Sequence, residues 1–188
     1  LDHISDGRLI LGVGAGWNAE EMENHATPFA NRWKVLRERI LAMKAIWTDE
    51  AAEFHGDYVD FDPLWSCPKP KQAGGPPILL GAASKYMHKR IAEYCDGWFP
   101  IYQDEARAAA AGATDYSESM RLTREAWDSA GRSGSPNSTI FGVGHDPAAV
   151  ERCLAHGFDR IVFALPPAGA DEVLPMIERY AALKKQFD

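Results

Sequence analysis

"LILGVGAGWNAEEM", residues 9–22, sets an apolar run against three glycines, a tryptophan and a pair of glutamates. A short apolar run closed by glycines reads as a strand buried on both faces, here over residues 8–13, as in a parallel sheet. Asn18 followed three residues on by Glu21 has the capping-box pattern, which predicts a helix starting there. The stretch is a strand-to-helix corner, and the purpose of its glycines decides the fold. A dinucleotide-binding turn needs G-x-G-x-x-G, but Trp17 stands in the place of the third glycine and its bulk blocks close strand–helix packing. No acidic residue ends a second strand about twenty residues on, as such a site requires. A P-loop fails because no G-K-[ST] follows. Two readings remain. Either the glycines remove Cβ atoms so that backbone can approach a flat ligand, with Trp17 stacked on it or walling it, or this is a tight corner with Trp17 in the core.

The same alternation continues along the chain. Residues 31–47 carry Trp33, Leu36, Ile40, Met43 and Trp47 at spacings of three and four, one apolar helical stripe. Residues 48–76 break the rhythm: "AEFHGDYVDFDPLW" predicts a hairpin turning at His55, Gly56 and Asp57, and "CPKPKQAGGPP" is a proline- and glycine-rich connection. Strands follow at 77–81, 96–101, 138–144 and 159–165. Helices are expected at 85–95 with Ser84 as cap, at 104–130 with a break near Gly112 and a stop at Gly131, at 147–156 behind the Asp146-Pro147 pair, and at 171–184.

Five strand–helix repeats imply a parallel sheet, with residues 48–76 an excursion from a single domain over 1–188. An open doubly wound sheet fits, and so does a (β/α)8 barrel lacking its first three units, since a complete barrel takes about 250 residues. The opening "LDHISDGR" reads as a helix end and a turn, which favours the incomplete barrel.

Bulk properties narrow the function. Lys plus Arg is 20 against 27 Asp plus Glu, a formal net charge of −7, which argues against a surface built for nucleic acid. The cysteines, Cys67, Cys95 and Cys153, are far apart and in no C-x-x-C pair, as in a reduced cytoplasmic chain with neither disulfide framework nor zinc site. No H-E-x-x-H occurs, no metal site is expected, and no apolar run approaches a membrane span.

"GRLILGVGAGWNAEE", "MKAIWTDEAAEFHGDYVDFDPLWSCPKP", "PPILLGAAS" and "YCDGWFP" follow one another in an order and spacing that resembles the luciferase-like monooxygenase superfamily, most closely its F420-dependent oxidoreductase branch. The resemblance implies a (β/α)8 TIM barrel of which this chain holds approximately strands 4–8 with their helices, a cofactor in the C-terminal mouth, and hydride transfer to or from a small organic substrate. The cofactor implied is F420, with FMN and monooxygenation as the alternative; flavin-using members carry close variants of the same segments. A third reading is a truncated, non-catalytic flavin-binding or interaction module. Family members are often homodimers, and this segment alone need not be active.

Active sites of this fold sit beyond the C-terminal strand ends: residues 14–18, 81–84, 100–103, 144–146 and 165–167. Gly81, Ala82, Ala83 and Ser84 expose successive backbone N–H groups ahead of a helix, a natural phosphate cradle, and similar family segments hold the cofactor phosphate; the alternative is that Ser84 only caps its helix. The resemblance places Gly14, Ala15, Gly16, Trp17 and Asn18 against the ribityl chain and ring edge. Asn18 either meets ligand hydroxyls or caps a helix, and Glu21 is its capping partner. His145 is a weak candidate acid or base beside the helix start at Asp146. His25, His55 and His88 are expected on the surface, Lys69 and Lys71 solvated, and Asp159 and Arg160 structural at the opposite end. The aromatics of residues 58–65 are expected as a lid over the mouth or barrel edge. Family members often draw their acid or base from the first strands, so no catalytic residue is assigned.

Overall fold

The short apolar runs pair in parallel. The computed structural model describes residues 1–104, 108 and 112–187. Along the chain come β1 (Leu11–Val13), α1 (Ala19–Asn24), a 3-10 turn (Phe29–Asn31), α2 (Arg32–Thr48), β2 (Ala52–His55), β3 (Asp60–Leu64), β4 (Ile78–Leu80) and α3 (Met87–Tyr94). There follow β5 (Gly97–Trp98), α4 (Tyr116–Ser129), β6 (Asn137–Val143), α5 (Pro147–Ala155), β7 (Arg160–Phe163) and α6 (Ala170–Lys184). Five strands form one sheet in the order β1-β4-β5-β6-β7, each pair parallel, and β2 with β3 forms a separate antiparallel hairpin.

Alternation along the strands separates two faces. Leu11, Val13, Ile78, Leu80, Trp98, Ile140, Ile161 and Phe163 belong to the core shared with helix residues such as Ile40, Ile91, Trp127, Val150 and Leu183. The intervening residues Ile10, Gly12, Leu79, Phe99, Thr139, Arg160 and Val162 line a groove on the other side. A doubly wound sheet carries helices on both faces. Here they cover one, so the sheet is a curled stretch of (β/α)8 barrel wall, five consecutive units long. The groove is its inner surface. Arg160, expected as structural, lies in the groove and donates to Thr139 Oγ1 at 3.3 Å.

The lower ends of the strands are tied by Asp96. One oxygen accepts from Lys44 Nζ at 3.2 Å and Arg132 Nη2 at 2.9 Å; the other accepts from the Ile78 amide at 2.9 Å. Its own amide donates to Ile78 O and its carbonyl accepts from Asn137, so one residue joins β4, β5, β6, α2 and the segment after α4. Asp159 repeats the device one strand over, accepting from the Ser138 amide and hydroxyl.

Several boundaries differ from expectation. The helix expected at 85–95 begins at Met87, because residues 84–86 close a turn in which the Ser84 carbonyl, not its hydroxyl, takes the Met87 amide at 2.9 Å. The helix expected at 104–130 is present as α4 from Tyr116, where Asp115 accepts the Glu118 amide at 2.9 Å as a stronger start signal; Gly112 has φ +82, and residues 105–107 and 109–111 lie outside those described. Four of the five sheet strands are shorter than the apolar runs that announced them, down to two residues in β5, while β6 keeps seven. Lys69, expected to be solvated, is half-buried and its Nζ donates to the carbonyls of Ile46, at 2.7 Å, and Asp49 at the end of α2; Lys71 is exposed, as expected, and pairs with Asp6 on the surface.

Of the two places expected for the hairpin, the mouth or the barrel edge, its contacts favour the edge. The Glu38 carboxylate, two turns into α2, accepts the amides of Asp57, Tyr58 and Val59 at 3.1, 2.7 and 3.0 Å, which fastens the hairpin turn to the outer flank of that helix. Residue 56 must be glycine there: a Cβ would sit 2.4 Å from Glu38 Oε2. The hairpin thus borders the barrel edge. Among the described residues no helix is long and apolar enough to cross a membrane.

Replacing Asp96 with Ala leaves Lys44 and Arg132 without their carboxylate and the Ile78 amide without an acceptor. A loss of about 3 kcal/mol is expected in urea unfolding. At Glu38, desolvation raises the carboxyl pKa, but the amides of Tyr58, Val59 and Asp57 and the Arg37 charge together outweigh it and hold the value below normal. A lowered folded pKa means the hairpin clamp is at full strength above the free glutamate's pKa and is lost as pH falls through the folded one. The amide NMR shifts of Asp57, Tyr58 and Val59 should therefore titrate together, with a midpoint below that of a free glutamate.

Candidate functional site

Parallel pairing sends every strand's C-terminal end to the same rim. Val13 pairs with Leu80, and the Gly81 amide donates to Val13 O at 2.7 Å, so the tips after β1 and β4 emerge as immediate neighbours. They are closely fitted. A Cβ on Gly81 would lie 3.3 Å from Val13 O and 3.6 Å from Phe99 O, and one on Gly14 3.6 Å from Gly81 O. Any larger side chain here would project into the space over the rim.

The loop after β4 is held from behind. Trp98, 1% exposed, donates its indole N–H to Ala82 O at 2.9 Å, and the Phe99 amide donates to Leu80 O at 2.9 Å. Among the described residues the amides of Ala82, Ala83 and Ser84 have no protein acceptor. Three successive unpaired N–H groups in front of α3 are donors of the kind that can bind an anion. Ser84 does not use its hydroxyl to cap α3; the hydroxyl accepts from Arg90 Nη1 at 3.3 Å. Ala83 and Ser84 also edge a cleft of about 250 Å³ that runs to His88, Thr114 and Glu118 at the start of α4.

On the β1 side, Gly16 takes φ +83, a left-handed turn favouring glycine, with Met22 Sδ 3.0 Å from where a Cβ would stand. Trp17 is 88% exposed, so the corner is not packed around it in the core. Asn18 is a helix cap: its Oδ1 accepts from the Glu21 amide at 3.2 Å, while its side-chain nitrogen makes no hydrogen bond among the described residues. Cap and ligand donor are thus compatible in one side chain.

The other strand ends complete the rim. Residues 101–103 are pinned to α4: the Gln103 amide donates to Tyr116 Oη at 2.9 Å, and that hydroxyl donates to Ile101 O at 3.1 Å. Asp146 caps α5 through the Ala148 amide at 3.0 Å with Pro147 at the first helical position. His145 is exposed, its ring 5.9 Å from that of Tyr180, which stacks on Phe163 at 4.4 Å. His88 was expected on the surface but is half-buried on α3, its Nδ1 2.9 Å from Thr123 Oγ1; burial lowers its pKa more than the Glu118 charge raises it. Burial pushes the thiols of Cys95 and Cys153 up to about 12 and about 11, so neither is a nucleophile. No group of three His, Cys, Asp or Glu among the described residues can hold a metal ion.

Trp98 and Arg90 brace this rim, and neither was singled out from the sequence. Trp98 sits in an ordinary apolar run. Arg90 carries a faint signal, a cation on the helix that follows the small-residue loop.

The family model for luciferase-like monooxygenase matches residues 1–150. The uncharacterized protein Rv0953c of Mycobacterium tuberculosis is 36% identical over 182 residues, 97% of this chain and 61% of that protein, so the chain spans about three-fifths of this relative's length. Among solved structures, the monooxygenase RslO1 from Streptomyces bottropensis superposes with TM-score 0.81 at 15% identity, covering 100% of this chain and 71% of that one. The coenzyme F420-dependent tetrahydromethanopterin reductase of Methanopyrus kandleri gives TM-score 0.64 at 15% identity, covering 92% and 75%. At that identity the likeness is one of fold.

Replacing Trp98 with Phe removes the donor behind Ala82 O and leaves a gap in the core. Stability should fall by about 2 kcal/mol in urea unfolding, with the circular dichroism of the native state unchanged.

Proposed function

Because the chain belongs to the luciferase-like monooxygenase family, we propose that it is the cofactor-holding part of an oxidoreductase using coenzyme F420 for hydride transfer to or from a small organic substrate. The observation that carries this reading is the pair of neighbouring glycine tips, bare of side chains, with three unpaired amides beside them. Those amides, from Ala82, Ala83 and Ser84, take the cofactor phosphate at the amino end of α3. Gly14, Ala15, Gly16, Trp17 and Asn18 lie along the ribityl chain and ring edge, and the exposed indole of Trp17 is free to cover the ring. The apolar groove of Ile10, Gly12, Leu79 and Phe99 keeps water from the lower side of the site. When bound, the cofactor supplies two-electron hydride exchange; the protein positions it and excludes solvent. No acid or base is assigned to this chain's residues. We place the protein in the cytoplasm as a single partial-barrel domain over residues 1–188, residues 48–76 being its excursion; three free cysteines suit a reducing compartment.

The second reading, reduced FMN and monooxygenation, is favoured by the description of the matched family itself. Titration of the full natural chain with each cofactor, followed by absorbance and fluorescence, separates them. F420 should saturate the protein, and FMN should bind at least about tenfold more weakly. Ala83→Asp should weaken F420 about tenfold or more by setting a carboxylate among the amides. The melting temperature should not move, since Ala83 is exposed. FMN binding without F420 would establish the monooxygenase reading; binding of neither would leave a non-catalytic module.

A further inference from the structure

Three cations gather around two aromatic rings beside the loop of residues 81–84. The Arg90 guanidinium lies 3.9 Å from the Trp33 ring centroid and 5.6 Å from that of Tyr86, with Nη1 on the Ser84 hydroxyl. Lys85 Nζ is 5.1 Å from the Tyr86 ring. The Arg32 guanidinium is 5.8 Å from the Trp33 ring and 3.6 Å from Phe29; its Nη1 donates to Phe29 O, and its Nε is buried with no partner.

Among the described residues none of these three forms an ion pair. Arg132, the other cation over an aromatic ring among the described residues, does form one, with Asp96. What sets Arg32, Lys85 and Arg90 apart is that adjoining rings gather three unneutralised cations into one place. The rings hold the charged heads in place without cancelling their charge. The carboxylates across the neighbouring cleft are committed elsewhere: Glu118 is held by Arg121 at 2.6 and 2.7 Å, and Asp115 caps α4. The cluster therefore presents net positive charge next to the three unpaired amides.

We propose that Lys85 and Arg90, backed by Arg32 across Trp33, form a second anion site that takes the carboxylates of an acidic tail extending from the cofactor phosphate. This rests on the reading of residues 82–84 as the phosphate cradle. It also bears on which cofactor is used, because FMN ends at its phosphate, whereas F420 continues through a lactyl ester into a chain of glutamates.

The test compares F420 with its tail-less form, which keeps the phosphate and lactyl group but carries no glutamate, by fluorescence titration of the full natural chain. The tailed form should bind about tenfold more tightly, and raised salt should narrow the gap. Lys85→Gln, at an exposed position, should reduce the advantage with the tail-less affinity unchanged, and Arg90→Gln should abolish it while weakening the tail-less form to a lesser degree through the lost bond to the Ser84 hydroxyl. Equal affinity of the two forms for the wild-type protein overturns the proposal and leaves the cradle standing. So does equal weakening of both forms by the two variants, which marks the cations as braces of the loop. Failure of both forms to bind overturns the cradle and the tail site together.

Discussion

The hydrogen bond from the Gly81 amide to Val13 O, 2.7 Å long, continues the parallel ladder of β1 and β4 by one residue past the strand ends. Everything proposed at the rim depends on that ladder. It sets two glycine tips, separated by more than sixty positions in sequence, side by side. It also leaves the next three amides, 82–84, with nothing to pair with, because β1 turns away into the α1 cap. A sheet rung made and the following rungs unmade are two consequences of one geometry.

The rest of the structure keeps that rim open. Helices pack on one face alone, so the inner face stays a groove. Asp96 and Asp159 tie the opposite ends of the strands, where charged and polar knots interfere with no ligand. Trp98 spends its indole N–H on the Ala82 carbonyl, which ties the loop to the core. The hairpin is held on the flank of α2 by Glu38.

Where the sequence was legible, the signal was local. Asn18 and Asp146 cap the helices that their spacing announced, since a cap is decided by residues two or three apart. The apolar stripe of α2 and the strand runs were equally plain. Failures arose where a local signal had two possible partners. Ser84 looked like a cap, but Arg90 takes its hydroxyl. Lys69 looked solvated, but the carbonyls at the end of α2 are within its reach. The aromatics after residue 57 left mouth and barrel edge both open, because nothing in their own pattern shows Glu38, about twenty positions earlier, capturing the turn.

By itself the sequence determined the repeating strand–helix order, the parallel sheet and the small residues at its tips, because these follow from hydrophobic period, caps and side-chain size, all short-range properties. Only the tertiary structure decided which tips meet, which amides stay unpaired, and that Arg32, Lys85 and Arg90 gather around Trp33 and Tyr86 without a carboxylate. Those outcomes depend on contacts between residues far apart in the chain, where distance in space bears no relation to distance in sequence.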